Sequence, residues 1–176
     1  ISERIRTLLL DRGHDEMTAT TELLLFSASR AQLVAEVIRP ALQRGEMVVC
    51  DRYCDSTTAY QGYGRGLNLD AVAVINRFAT MGTMPALTFL LDIPLEEIER
   101  RKIAAGMTFD RMESAGRAFY ERVRQGYRTL ADAEPQRWLV LDGRRPVHEL
   151  EQDIWMAVEQ RLSTAVAPSV RANTTT

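Results

Sequence analysis

The sequence has few of the residues that mark secreted, membrane-spanning or metal-bound proteins. Its 176 residues include two cysteines, Cys50 and Cys54, which lie four positions apart with no second pair to complete a zinc site. This usage favours a reduced protein inside the cell. No apolar run approaches the ~20 residues needed to span a bilayer, and no signal peptide is recognisable. We therefore expect a cytoplasmic protein with no membrane partner.

An excess of charge of one sign is also missing. The chain has 22 basic and 24 acidic residues and a net charge of −2. Binding to a nucleic-acid polymer depends on many phosphate contacts, so this balance excludes a bulk nucleic-acid binder. Basic residues cluster locally at Arg100, Arg101 and Lys102, a pattern that fits a small anionic ligand.

Hydrophobic periodicity predicts helices that alternate with three short buried strands, at 47–50, 86–92 and 138–141. This alternation is typical of an α/β protein with a parallel sheet flanked by helices. The helices are predicted at 1–10, 18–44, 68–81, 94–105, 114–133 and 147–162. In the helix at 68–81, Leu69, Val72, Ile75 and Phe78 are expected to face the core. Residues 1–163 form one predicted domain, and 164–176 is predicted to be a disordered tail.

The stretch 47–67 has the strongest functional signal. Asp51 and Arg52 directly follow a predicted strand, at the sheet edge where open α/β proteins bind ligands. Hydrogen-bonding side chains come next, and three glycines then alternate around a cation. These residues are Ser56, Thr57, Tyr60, Gln61, Gly62, Gly64, Arg65 and Gly66. A flexible backbone carrying a cation, beside polar groups, predicts a site for an anion with a polar ring attached. The alternative is a surface salt bridge followed by a glycine turn.

Two further features fit such a ligand. Phe26 and Arg30 are one helical turn apart, so the ring could stack on a base while the guanidinium pairs with a base carbonyl or a phosphate. The alternative is a core phenylalanine beside a solvated arginine. Arg52 and Arg65 are candidate phosphate clamps, since guanidinium groups match phosphate oxygens bidentately. Asp51 could hold Mg²⁺ through water.

The segment 100–113 has the composition of a lid. Its basic helix leads into Asp110, Arg111 and Glu113. Phosphoryl transfer is catalysed mainly by positioning and by neutralising negative charge, and arginines on a closing loop do both. The alternative is a solvated helix face with charge pairs.

Taken in this order, these sets resemble bacterial thymidylate kinase, a family of P-loop nucleoside monophosphate kinases. The resemblance extends from about residue 5 to about residue 155. Its motifs are Glu22-Leu23-Leu24-Leu25-Phe26 with Arg30, Asp51-Arg52-Tyr53, the run 56–67, Asn76-Arg77-Phe78-Ala79, Leu90-Leu91-Asp92, Asp110-Arg111 with Glu113, Phe119, Val123-Arg124 and Gly126-Tyr127. The family implies ATP-dependent phosphorylation of dTMP to dTDP in dTTP synthesis, with Mg²⁺ as cofactor, ATP as co-substrate and a homodimeric assembly.

The resemblance also implies roles for individual residues. Phe26 would stack on thymine, and Arg30 would contact its polar edge. Arg52 would bind the dTMP phosphate, with Asp51 beside it near the magnesium. The rest of the dTMP pocket would consist of Ser56, Thr57, Tyr60, Gln61 and Arg65. Arg101 and Arg111 would be lid residues near the ATP phosphates.

One departure from the family is large. The sequence contains no Gly-x-x-x-x-Gly-Lys-Ser/Thr loop, which cradles the ATP phosphates. In the family that loop lies ahead of the point where this chain begins, on the first and central strand. We therefore expect a P-loop-type sheet without its first and second strands. We also expect weak phosphate transfer and low stability for this polypeptide alone.

Two alternatives stay open from the sequence. The first is a non-catalytic remnant that binds dTMP or serves in assembly. The second is a related kinase acting on another nucleotide or a nucleoside, against which Thr57 and Gln61 argue.

Overall fold

The computed structural model describes residues 1–104 and 116–166. Two strands and eight α-helices lie in these ranges, joined by π-helical turns. In chain order the elements are α1 (Ser2–Leu10), α2 (Ala19–Leu33), a π-helical turn (Val34–Ile38), α3 (Arg39–Gln43), α4 (Cys54–Thr57), a π-helix (Thr58–Gly64), α5 (Leu69–Thr80), β1 (Thr88–Asp92), α6 (Leu95–Ala104), α7 (Arg117–Ala133), β2 (Trp138–Asp142) and α8 (Val147–Val166). A short 3₁₀ turn, Arg12–His14, follows α1.

The two strands form a small parallel sheet. Thr88 lies opposite Trp138, and Asp92 lies opposite Asp142. Both strands therefore end in an aspartate at the same edge of the sheet, which is the edge where α/β proteins bind ligands. The prediction of an α/β fold with a parallel sheet flanked by helices is confirmed, as are its strands near 86–92 and 138–141. The expectation that a first and a second strand are missing stays a prediction.

The predicted buried strand at 47–50 is wrong. Met47 is 62% exposed and Val49 is 87% exposed. A β-strand requires ladder hydrogen bonds to a neighbour, and no segment of the described residues pairs with this one. Its apolar residues satisfy the length rule for a strand, but a short apolar run says nothing about whether a partner is present.

The predicted helix at 18–44 is divided by Pro40. The proline has no N–H to donate to the preceding turn, and the π-helical turn Val34–Ile38 comes just before α3. Thr18 caps the start of α2, because its Oγ1 accepts a 3.2 Å hydrogen bond from the Thr21 N–H.

Helix α5 turns a different face inward from the one predicted. Its buried residues are Val72, Asn76, Ala79 and Thr80, whereas Phe78 is 85% exposed. At about 100° per residue, Phe78 lies far round the helix from Val72. The prediction that Phe78 faces the core is therefore wrong, because it followed apolar character instead of the angular spacing.

The core next to the proposed site lies between the π-helix Thr58–Gly64 and α7. Ala59, Phe119 and Val123 are buried together there, with Phe26 and Tyr60 packed against them. A Cβ added to Gly64 would stand 2.6 Å from a Phe119 ring carbon and 2.8 Å from a Val123 methyl. Gly64 therefore permits close helix packing, and the prediction of a flexible backbone is wrong at this position.

None of the helices within 1–104 and 116–166 is long and apolar enough to cross a membrane. Helix α8 continues to Val166, three residues into the predicted tail, and the rest of that tail lies outside the described residues. Most of the predicted lid, including Arg111, also lies outside them.

Candidate functional site

A stripe on α2 faces the segment 53–65. It consists of Glu22, Phe26 and Arg30, which are one helical turn apart and so share a face. Each of the three contacts a different part of the opposite segment. Two separate parts of the sequence contribute predicted site residues, and the structure brings them together. They lie on both sides of the interface between α2 and the helices α4 and Thr58–Gly64.

Glu22 forms the first contact of this stripe. Its carboxylate is 1% exposed. It accepts a 2.9 Å hydrogen bond from Gln61 Nε2 and bonds of 3.2 and 3.0 Å from the Nε and Nη2 atoms of Arg65. Charge-assisted bonds of this kind are among the stronger ones in proteins. Two residues predicted to bind dTMP are thus held by a carboxylate to which the sequence gave no role.

Phe26 is half-buried and packs against the cluster of Ala59, Phe119 and Val123. Tyr60 packs against the same cluster, and its ring meets those of Phe119 and Tyr127 edge-on, at centroid distances of 5.9 and 6.3 Å. The predicted base-stacking residue and a second residue predicted for the dTMP pocket therefore share one aromatic group.

Arg30 forms the last contact of the stripe. Its Nη2 donates to the Tyr53 carbonyl at 3.1 Å, and its Nη1 donates to Asn76 Oδ1 at 3.3 Å. Burial lowers the pKa of this guanidinium below its ordinary value. The Asn76 amide in turn donates to the Cys54 carbonyl and to Thr58 Oγ1, each at 3.1 Å. Arg30 is therefore neither solvated nor free of protein partners, and its contact with thymine stays a prediction.

Arg52 and Asp51 lie on the exposed side of the site. Arg52 Nη1 donates to the Tyr60 hydroxyl at 2.9 Å, and its guanidinium carbon lies 5.3 Å from the centre of that ring. Its other N–H groups have no hydrogen-bond partner among the described residues, so they are available to an anion. The Asp51 side chain is exposed and accepts no hydrogen bond from those residues.

Ser56 and Thr57 lie on the short helix α4. The Tyr127 hydroxyl donates to Ser56 Oγ at 2.7 Å, and burial raises the pKa of Tyr127 to about 12. Thr57 is 2% exposed. Helix α4 itself is held from the other side, where Arg137 donates to both oxygens of Asp55 at 2.7 and 2.9 Å.

A separate cavity of about 240 Å³ lies at the carboxyl ends of β1 and β2. It is lined by Asp92, Arg124, Asp142 and Arg144, among others. Arg124 donates to both Asp92 oxygens at 2.6 and 2.8 Å, which lowers the pKa of that carboxyl. Each cation in this cavity thus has a carboxylate partner. None of the residues predicted to bind dTMP lines it.

Arg101 is the one predicted donor-side residue that the structure describes. Its Nε donates to Glu97 at 2.7 Å, and its Nη2 donates to the Gly143 carbonyl at 3.2 Å. Gly143 directly follows β2, so Arg101 reaches the edge of the sheet where both strands end. Arg111 lies outside the described residues, and its predicted role is untested.

Sequence patterns assign no separate role to three residues of the site. They occur in the sequence only as parts of longer motifs. In the structure Glu22 holds Gln61, Asn76 holds Arg30, and Tyr127 holds Ser56. One signal was available for Glu22, because it stands one turn before Phe26 on the same helix face. No comparable signal connects Asn76 with Arg30 or Tyr127 with Ser56, which are 46 and 71 positions apart.

Among the described residues, Asp51 offers Mg²⁺ a site of the kind that is reached through water. Within the described ranges no three His, Cys, Asp or Glu side chains converge on one point. Mg²⁺ commonly keeps several waters and binds one or two carboxylates together with substrate phosphates. The exposed Asp51 carboxylate, beside the exposed Arg52, fits that kind of site and no fully protein-lined one.

Comparison with known proteins adds independent information. The family model described as "Thymidylate kinase" matches residues 1–154. Relatives named thymidylate kinase include one from Deinococcus radiodurans, 52% identical over 92% of this chain and 77% of its own length. Another, from Chlorobaculum parvum, is 47% identical over 90% of this chain and 76% of its own length. This chain thus spans about three quarters of each.

A solved structure shows the same fold. A crystal structure of thymidylate kinase from Ehrlichia chaffeensis superposes with a TM-score of 0.62 and 31% identity. The match covers 79% of this chain and 66% of that one, slightly less than two thirds of its length.

Proposed function

The chain belongs to the thymidylate kinase family, and we propose that it phosphorylates dTMP to dTDP with ATP as the phosphoryl donor. The observation that carries this proposal is the contact of Arg52 with Tyr60. It joins an exposed guanidinium with unused N–H groups to the aromatic group that contains Phe26. A nucleoside monophosphate presents the same pair of features, a phosphate and a flat ring.

The base and sugar of dTMP would lie along the interface between α2 and the segment 53–65. Phe26 would stack on thymine, Thr57 and Gln61 would line its pocket, and Tyr60 would lie against the deoxyribose. Arg30 would contact the polar edge of the base and Ser56 and Arg65 the rim, after the rearrangement of side chains that ligand binding commonly brings.

The phosphate side would be organised by charge. Arg52 would hold the dTMP phosphate through two N–H groups, which fixes the acceptor oxygen for attack. Asp51 would hold Mg²⁺ through water, and that ion supplies neutralisation of the charge on the donor phosphates. Arg101 and Arg111 would contribute further positive charge on the lid and help to exclude water.

We also propose a homodimer through the outer face of α5. Val74 is 68% exposed and Phe78 is 85% exposed, and the two are one helical turn apart. Two large apolar side chains on one face of a helix are a common feature of surfaces that a second protein covers.

Nucleotide binding to the 176-residue chain tests the proposed function. Isothermal calorimetry with dTMP, dUMP, CMP and thymidine is expected to show the tightest binding for dTMP. Arg52→Ala should reduce dTMP affinity towards that of thymidine, because the phosphate contact is lost, whereas the lost hydrogen bond to Tyr60 affects dTMP and thymidine alike. Arg77→Ala, which removes an exposed arginine from α5, is the matched control and should leave the order of the four ligand affinities unchanged. Tighter binding of CMP than of dTMP, or no nucleotide binding at all, would overturn the proposal.

A further inference from the structure

Gln61 is a buried side chain with one end bound and the other end open. It is 2% exposed, and its Nε2 donates to Glu22 Oε1 at 2.9 Å. No described residue donates a hydrogen bond to its side-chain oxygen. Trp138 Nε1 is the one buried side-chain nitrogen or oxygen among the described residues that has no partner, so the Gln61 oxygen reaches the surface of the site, where a ligand can donate a hydrogen bond to it.

The hydrogen bond to Glu22 determines the orientation of the Gln61 amide. A carboxylate has only acceptor atoms, so the NH₂ group of Gln61 has to face Glu22. The carbonyl oxygen then has to face the opposite way. Arg65 binds both Glu22 oxygens and holds the carboxylate in place, at 3.2 Å from Nε and 3.0 Å from Nη2. The amide cannot turn over without placing an acceptor against an acceptor.

We propose that Glu22 is a positioning residue that selects the base by fixing the orientation of the Gln61 amide. The inference rests on the proposed function, since it requires that the base lie beside Gln61. Thymine carries a hydrogen on N3, which the fixed carbonyl oxygen accepts. Cytosine has a lone pair at N3, so the same oxygen repels it. Glu22 thus imposes a preference for an imide base without touching the ligand.

The chain offers a test that separates this role from a general structural one. Glu22→Gln keeps the shape of the side chain but adds a donor, so the Gln61 amide can adopt either orientation. We expect the ratio of dTMP to dCMP affinity, measured by calorimetry, to fall about tenfold, the effect of one hydrogen bond in a buried site. Glu36→Gln makes the same chemical change at an exposed position further along this helical region and should leave the ratio unchanged.

A second pair of variants tests whether Glu22 acts through Gln61. In a Gln61→Ala background the further change Glu22→Gln should have no effect on the ratio. If Glu22→Gln alone does not fold, the exchanged pair Glu22→Gln with Gln61→Glu restores an amide bound to a carboxylate. That pair again presents an acceptor to N3, so it should retain the preference for dTMP.

The outcomes distinguish this inference from the proposed function. An unchanged ratio in Glu22→Gln, with normal dTMP binding, overturns the positioning role and leaves the function intact. If the variant Glu22→Gln with Gln61→Glu loses the preference for dTMP over dCMP, the positioning role is likewise overturned and the proposed function is left intact. Failure of the unmodified chain to bind dTMP overturns both.

Discussion

Gly64 has a packing role at the scale of a single residue. Its carbonyl accepts hydrogen bonds of 3.0 and 2.7 Å from Arg122, and its missing side chain leaves room for Phe119 and Val123. Gly66 is different, because the space around it is open and its φ of +74° alone favours glycine. The same substitution at these two positions therefore tests two different physical requirements.

Gly64→Ala is expected to destabilise the chain by about 2–3 kcal/mol, since overpacking a buried contact has costs of this order. Gly66→Ala should cost about 1 kcal/mol, because only the left-handed backbone is affected. Urea unfolding followed by circular dichroism measures both. Equal losses at the two positions would contradict the packing role of Gly64.

Because of Cys54, the free energy of unfolding is expected to fall at alkaline pH. Burial raises the pKa of its thiol from 9.0 to about 11. The unfolded thiol therefore loses its proton first, so its contribution to stability is complete below about pH 9 and is lost as the pH rises to about 11. We expect the free energy of unfolding to fall by roughly 2–3 kcal/mol over this range because of Cys54.

Cys54→Ala should remove that part of the pH dependence. Tyr53 and Tyr127, whose pKa values burial raises to about 12, contribute a loss of the same sign in both proteins. Because the Cys54 thiolate also raises the pKa of Tyr53, the difference reports Cys54 together with this coupling. Cys50→Ala, at an exposed position, is the control and should keep most of the slope. Parallel slopes for the unmodified chain and Cys54→Ala would rule out this assignment.

At the scale of elements, an ion pair holds α4 against the start of β2. Arg137 is 7% exposed and Asp55 is 8% exposed. Arg137 also donates to Thr88 Oγ1 at 3.0 Å and to both Glu134 oxygens at 3.0 and 2.9 Å. Because α4 carries Ser56 and Thr57, this network connects the proposed dTMP site to both strands of the sheet.

Asp55→Asn is expected to lower the free energy of unfolding by about 3 kcal/mol, because breaking one side of a buried pair leaves the other charge poorly compensated. Chemical denaturation measures the loss. Asp142→Asn breaks a bidentate pair with Arg144 at the surface and should produce no measurable change. A similar loss in both variants would show that burial is not the cause.

The elements differ in how far the sequence determines them. The strands at Thr88–Asp92 and Trp138–Asp142 and most helices follow from local hydrophobic periodicity. The run at 47–50 satisfied the same rule and forms no strand, because pairing depends on a neighbour. The grouping of Phe26 and Arg30 with the segment 53–65 followed from the family resemblance. The Asp55–Arg137 pair, 82 positions apart, has no local signature at all.

At the scale of the whole molecule, the exposed face of α5 determines the expected assembly. Phe78→Glu places a charge where the proposed dimer would bury an aromatic ring, so the mass in solution should fall to that of a monomer. Multi-angle light scattering measures this mass. Trp155→Glu, at another aromatic side chain that is 61% exposed on α8, should not change it. A monomeric unmodified chain would contradict the proposed dimer.

The seam between the π-helix Thr58–Gly64 and α7 also has a kinetic consequence. Gly64 and Arg122 are 58 positions apart, so their contact requires a long loop to close, whereas α1 and α2 are neighbours in the chain. We therefore expect the seam to form late in folding. Substitutions in it, such as Gly64→Ala, should mainly accelerate unfolding and leave the refolding rate little changed. Stopped-flow measurements of both rates would reveal the opposite pattern if the seam formed early.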